Sequence, residues 1–177
     1  MKLKINQIMD NTKSTQIHYI ILLDTSVSMS DIIDKAIIGL NKFISKLDKN
    51  NYITIVTFDS KMTYIIKSSQ ISLISKLNKS LFKLGWSTML YDTIISVIGN
   101  FIDINIKTEV HIITDGCDNI SKTSKERVEY ICKDMTLRKK WNITYYNPRN
   151  IDFKLKNVKN VNYDLNDIDN LLGNMSI

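Results

Sequence analysis

Residues 20–30 read IILLDTSVSMS, and the reading of this stretch decides the fold. An apolar run ends abruptly on Asp24, and three serines and a threonine follow within six positions. A run apolar on every residue suits a strand covered on both faces, as in a parallel sheet flanked by helices. A carboxylate at its tip needs a partner. That partner is a phosphoryl group, a metal ion, a helix N-terminus or solvent.

Outward from this stretch, QIHYIILLD (16–24) is the strand, and MSDIIDKAIIGLNKFISKLDK (29–49) follows as a helix. Ile32, Ile33, Ala36, Ile37, Leu40, Phe43, Ile44 and Leu47 recur at helical spacing. Ser28 or Ser30 can cap its start, and Asp31 and Asp34 suit its first turn. NYITIVTFDS (51–60) and KMTYIIKS (61–68) lie so close together that they must pair as an antiparallel hairpin, one member at a sheet edge. A short helix is expected at 71–78, then the loop KLGWSTML (83–90) and a helix over 91–103. EVHIITDG (109–116) is a strand ending in a second aspartate. SKERVEYICKDMTLRKK (124–140) is a helix with a capped start, and WNITYYN (141–147) is a strand. The remainder is weaker, with a short strand expected at 160–164 and a short helix from 166.

The alternation gives one α/β domain over residues 1–177, its core within about 14–147 and its segment 148–177 divergent. The expected fold is a doubly wound, mostly parallel sheet with one antiparallel edge strand and helices on both faces. Ligands of such sheets sit outside the carboxyl ends of the strands, where strand order reverses. Asp24 and Asp115 both fall at such ends. Asp24, Ser26, Ser28, Thr88 and Asp115 are then hard oxygen donors converging on one edge, with no histidine among them. Carboxylates mixed with hydroxyls suit Mg²⁺, or Mn²⁺.

DTSVSMS, STMLYD and ITDG together resemble the von Willebrand factor type A domain, also called the integrin I domain. That family's metal-ion-dependent adhesion site is D-x-S-x-S, then a threonine, then an aspartate, and all of these positions are present here in order. The resemblance covers roughly residues 14–147. It implies direct metal contact by Ser26, Ser28 and Thr88, water-mediated contact by Asp24 and Asp115, and an open position completed by a carboxylate of a protein partner. There are departures. Val27 stands where glycine is frequent, Met89 replaces a proline, and the segment after 147 is short, without a clear helix before its last strand.

Enzyme readings fare worse. A strand ending in aspartate also builds haloacid-dehalogenase-type phosphatases, but their second aspartate, two positions on, is Ser26 here. No phosphate-cradling G-x-x-x-x-G-K-[ST] or G-x-G-x-x-G occurs. Both histidines, His18 and His111, lie within strands, which leaves no Ser/His/Asp set.

With 44% hydrophobic residues, five glycines and one proline, the chain has a globular composition. Its wealth of Ile, Lys and Asn follows AT-rich codons, as in a symbiont, a protist or a large DNA virus. The net charge of +6 permits attraction to nucleic acid, but the lysines are scattered and no aromatic–basic interleaving appears, so a nucleic-acid partner is not expected. Cys117 and Cys132 are too few for a disulfide scaffold. MKLKINQIMDNTK lacks a signal peptide's apolar core and no run could span a bilayer, so an intracellular protein is expected.

The expected function is a non-catalytic module whose bound metal accepts an acidic residue of a partner. The alternative is an interaction scaffold with a structural or vestigial metal site, using its basic surface. Asp92 is either a second acid near the metal or a complement to a helix dipole, and Asp118 and Asn119 shape the loop after Asp115. Trp86 and Met89 either form an apolar rim beside Thr88 or pack on the sheet.

Overall fold

The computed structural model describes residues 16–148 and 153–175. Along the chain run β1 (Ile17–Asp24), α1 (Ile33–Lys46), β2 (Tyr52–Phe58), β3 (Met62–Gln70), α2 (Leu90–Phe101) and β4 (Lys107–Ile113). α3 (Lys125–Asp134), β5 (Asn142–Pro148), β6 (Lys159–Tyr163) and α4 (Ile168–Gly173) complete the described elements. They build a six-stranded sheet in the order β3-β2-β1-β4-β5-β6. Every pairing is parallel except β2 with β3, which is antiparallel and puts β3 at the edge.

The apolar run of β1 is buried because the sheet is covered twice. Tyr19, Ile21 and Leu23 point into a core with Ile33, Ala36, Leu40 and Phe43 of α1 and with Ile168 and Leu172 of α4. Ile20 and Leu22 point the other way, into a core with Leu90, Ile94 and Val97 of α2 and Val128 of α3. Alternate residues thus feed opposite cores, as the period of two demands. The segment after 147 is part of this architecture. Tyr163, Ile168, Leu172 and Met175 are buried beside α1, and Gly39 lets α4 approach so closely that an added Cβ would lie 2.8 Å from Asp169 O.

Three local expectations are corrected. The stretch 71–78 is not a helix: a single 3-10 turn, Ile71–Leu73, gives way to extended chain. Asn41 of α1 explains this, because its side chain accepts from Leu77 N at 2.8 Å and donates to Leu77 O at 3.1 Å, satisfying the backbone without helical bonds. Neither Ser28 nor Ser30 caps α1. Residues Val27–Asp31 form a 3-10 turn first, and Ser28 turns its hydroxyl elsewhere. The helix expected to 140 ends at Asp134 and continues as a π-helical turn, Met135–Lys139, closed by Lys140 at φ 55°. Its start is capped as expected, with Ser124 Oγ accepting from Arg127 N at 3.3 Å. Among the described residues no helix is long and apolar enough to cross a membrane.

Candidate metal centre

The strand order reverses between β1 and β4, whose following helices, α1 and α3, go to opposite faces, and the two chains diverge there into loops. Leu23 is in register with Ile113, so Asp24 and Thr114 are neighbours one step further along. The Thr114 hydroxyl donates to Asp24 Oδ2 at 2.6 Å, and Ser26 N donates to Asp24 Oδ1 at 2.7 Å. Both oxygens of this fully buried carboxylate are therefore fixed. Ser26 Oγ lies 3.0 Å from Ser28 Oγ, which donates to Asp115 Oδ1 at 2.8 Å. Four of the expected donors thus form one hydrogen-bonded group.

Thr88 arrives by its backbone. Gly85 N donates to Thr25 O at 2.9 Å, and Gly85 forms a parallel bridge with Ser26. A Cβ at Gly85 would lie 2.4 Å from Asp59 Cγ, so only glycine allows this approach. Thr88 N donates to Asn119 Oδ1 at 2.9 Å, and Asn119 N donates to Thr88 O at 3.1 Å. The buried Thr88 is thereby clamped to the loop that follows Asp115.

Burial pushes Asp24 up to about 6, and the nearby Asp115 adds to this, against the lowering effect of the bonds from Thr114 and Ser26. Burial raises Asp115 as well, opposed by the Ser28 hydroxyl. Neither carboxylate has a Lys or Arg ion-pair partner among the described residues. A cation between them would relieve both effects.

The donor set fits a small divalent ion. Mg²⁺ at 2.0–2.1 Å from its ligands needs oxygens about 2.9 Å apart along an octahedral edge. The Ser26–Ser28 hydroxyl separation of 3.0 Å matches that spacing. Among the described residues no cluster of three or more His, Cys, Asp or Glu could hold a metal, so a site here depends on hydroxyls as well as two carboxylates. The histidines are engaged elsewhere: His18 Nε2 lies 2.8 Å from Thr54 Oγ1, and His111 Nδ1 lies 3.0 Å from Tyr146 OH. Cys117 and Cys132 are both free thiols.

Sequence reading passed over two supports, Thr114 and Tyr163. Thr114 sits inside ITDG, and its role follows only from the register of β1 against β4. Tyr163 OH, from the C-terminal segment, donates to Thr114 O at 3.0 Å and ties β6 to the site. Asp92 accepts from Lys122 N and Thr123 N, each at 2.9 Å, while Asp118 accepts from Tyr91 N at 3.1 Å. These bonds lash the loop after β4 to the start of α2. Thr114→Val is expected to keep the fold and weaken Mg²⁺ binding by roughly tenfold, since it frees one oxygen of Asp24 from its orienting bond. Isothermal titration calorimetry checks this.

No family model and no curated protein matches the chain. Solved structures do. The ArnB paralog VWA2 from Sulfolobus acidocaldarius superposes with TM-score 0.65 at 17% identity, over 90% of this chain and 44% of that one. A von Willebrand factor type A protein from Catenulispora acidiphila gives TM-score 0.69 at 11% identity, over 91% of this chain and 42% of that one. The manganese-loaded TRAP protein of Plasmodium vivax gives TM-score 0.54 at 19% identity, over 89% of this chain and 72% of that one. The chain therefore spans under half the length of the first two. Together with the sheet order and its antiparallel edge, these likenesses establish that the chain has the fold of a von Willebrand factor type A domain.

Proposed function

We propose that this chain is a divalent-metal-dependent protein-docking module in which Mg²⁺ or Mn²⁺ accepts an Asp or Glu of a partner. One observation carries the reading: Asp24 and Ser26, both buried, join Ser28 and Asp115 in a single hydrogen-bonded group whose carboxylates have no Lys or Arg ion-pair partner among the described residues. Ser26, Ser28 and Thr88 would hold the ion directly, and Asp24 and Asp115 through water. The ion supplies a Lewis-acidic position for an external carboxylate, and neutral hydroxyl ligands leave that acidity largely unspent. The manganese loading of the structurally similar TRAP protein supports a divalent ion.

The module is non-catalytic in this reading. Asp24 has both oxygens committed as acceptors, and Ser26 stands where a phosphatase would need a general acid. Water-proton relaxation of the Mn²⁺-loaded protein tests the docking step. A short peptide bearing Glu is expected to displace metal-bound water and lower the relaxivity, whereas its Gln counterpart leaves the signal unchanged. Equal responses to both peptides would sink the reading.

A further inference from the structure

We propose that the partner presents its acidic residue beside a bulky apolar side chain, which docks on a rim built around Trp86; this rests on the metal-docking reading above. Trp86 is 87% exposed, so its indole contributes almost nothing to the core. It is nonetheless held on a fixed loop. Gly85, just before it, is bonded to Thr25 O and bridged to Ser26, and Thr88, two residues on, is clamped at both N and O by Asn119.

The same contacts gather further apolar groups. Val27, 45% exposed, follows bridged Ser26 as Trp86 follows bridged Gly85. Leu84 precedes Gly85, and Ile120 follows Asn119, and both are exposed. Three separate loops therefore each place a large apolar side chain next to a residue of the oxygen group or of its clamp. Folding gains nothing from leaving these groups in water, and large apolar side chains exposed beside a polar site suit an interaction surface. A tryptophan on a preorganised loop loses little freedom on binding, and such residues dominate interface energetics.

Continuity with the metal site sets the chemistry of the occupant. An acidic side chain on the ion anchors one point. A neighbouring aliphatic or aromatic residue, within about two positions at 3.3–3.6 Å per residue, reaches the indole. The indole N–H remains available to a partner carbonyl.

The test is selection of a displayed peptide library, with a central Asp or Glu and randomised flanks, on the wild type and on Trp86→Ala, in Mg²⁺ and in EDTA. The thermal shift caused by Mg²⁺ is measured on both proteins in parallel. Wild type is expected to enrich, only in Mg²⁺, peptides with an aromatic or branched aliphatic residue beside the acid, roughly tenfold or more over the input. Trp86→Ala should keep its thermal shift and lose that preference. Enrichment for the acid alone, identical on both proteins, would overturn the proposal. So would a Mg²⁺-independent dimer that Trp86→Ala dissolves, which would assign the rim to self-association. A wild type without any Mg²⁺-dependent thermal shift would instead overturn the docking reading beneath it.

Discussion

Asp24→Ala is expected to abolish the thermal stabilisation that Mg²⁺ or Mn²⁺ gives the wild type while leaving the metal-free fold intact. A ligand bound only to the folded state adds RT ln(1 + [L]/Kd), about 2.7 kcal/mol at a hundredfold excess over Kd. At about 2–4 °C per kcal/mol for a domain of this size, that is a rise of roughly 5–10 °C in Tm. The metal-free variant should survive, because opposing effects meet at this residue. The substitution strands Ser26 N–H, while the Thr114 hydroxyl keeps Gly116 O as an acceptor at 3.1 Å, and it removes a buried carboxylate that burial holds at about 6. Thr88→Ala should lose the same metal-dependent rise without touching Asp24, since its clamp to Asn119 runs through the Thr88 backbone. Differential scanning calorimetry in EDTA and in each metal makes the comparison. Retention of the full rise in both variants would place the metal elsewhere on the chain.

The second large effect lies in the core. His18 and His111 are both buried, and burial lowers each from 6.5 to about 4, with Lys159 adding to the effect at His111. Their folded-state values lie below the unfolded one, so the unfolded chain takes up protons first as pH falls. Their contribution is complete above about pH 6.5 and is lost as pH falls towards about 4, by about 3 kcal/mol for each ring. Asp24 without metal works in the opposite sense. Its raised folded value means that protonation between about 6 and 3.8 favours the native state, which offsets part of the loss. The net expectation in EDTA is a steep fall in urea midpoint between about pH 6.5 and pH 4. A double variant, His18→Gln with His111→Gln, should start less stable and show a much flatter profile. A wild-type profile as flat as that of the variant would contradict this account of the two rings.

The sheet was legible in the sequence because its signals are continuous. The run from Tyr19 to Leu23 has to be buried on both faces, and the closeness of β2 to β3 forces a hairpin. Asp24, Ser26, Ser28 and Asp115 could be gathered from sequence because strand ends in a parallel sheet share one edge. Stretch 71–78 misled because its Ile and Leu spacing suits a helix, whereas the deciding partner, Asn41, lies 36 residues away from Leu77. Ser28 carried the same ambiguity. A serine before a helix reads as a cap, and only the long-range bond to Asp115 shows where its hydroxyl goes.

The supports of the site were hidden for a related reason. Thr114 and Tyr163 act through register, across separations that local pattern does not encode. The C-terminal segment looked peripheral because its apolar residues are sparse. Its burial beside α1 depends on Gly39, whose missing Cβ admits α4.

The most direct test is anomalous diffraction from crystals grown with Mn²⁺. A single strong peak is expected within bonding distance of the Ser26, Ser28 and Thr88 hydroxyls, with Asp24 and Asp115 one water removed. Density at those hydroxyls explained by water alone, or a manganese peak at some other place on the chain, would contradict the central claim.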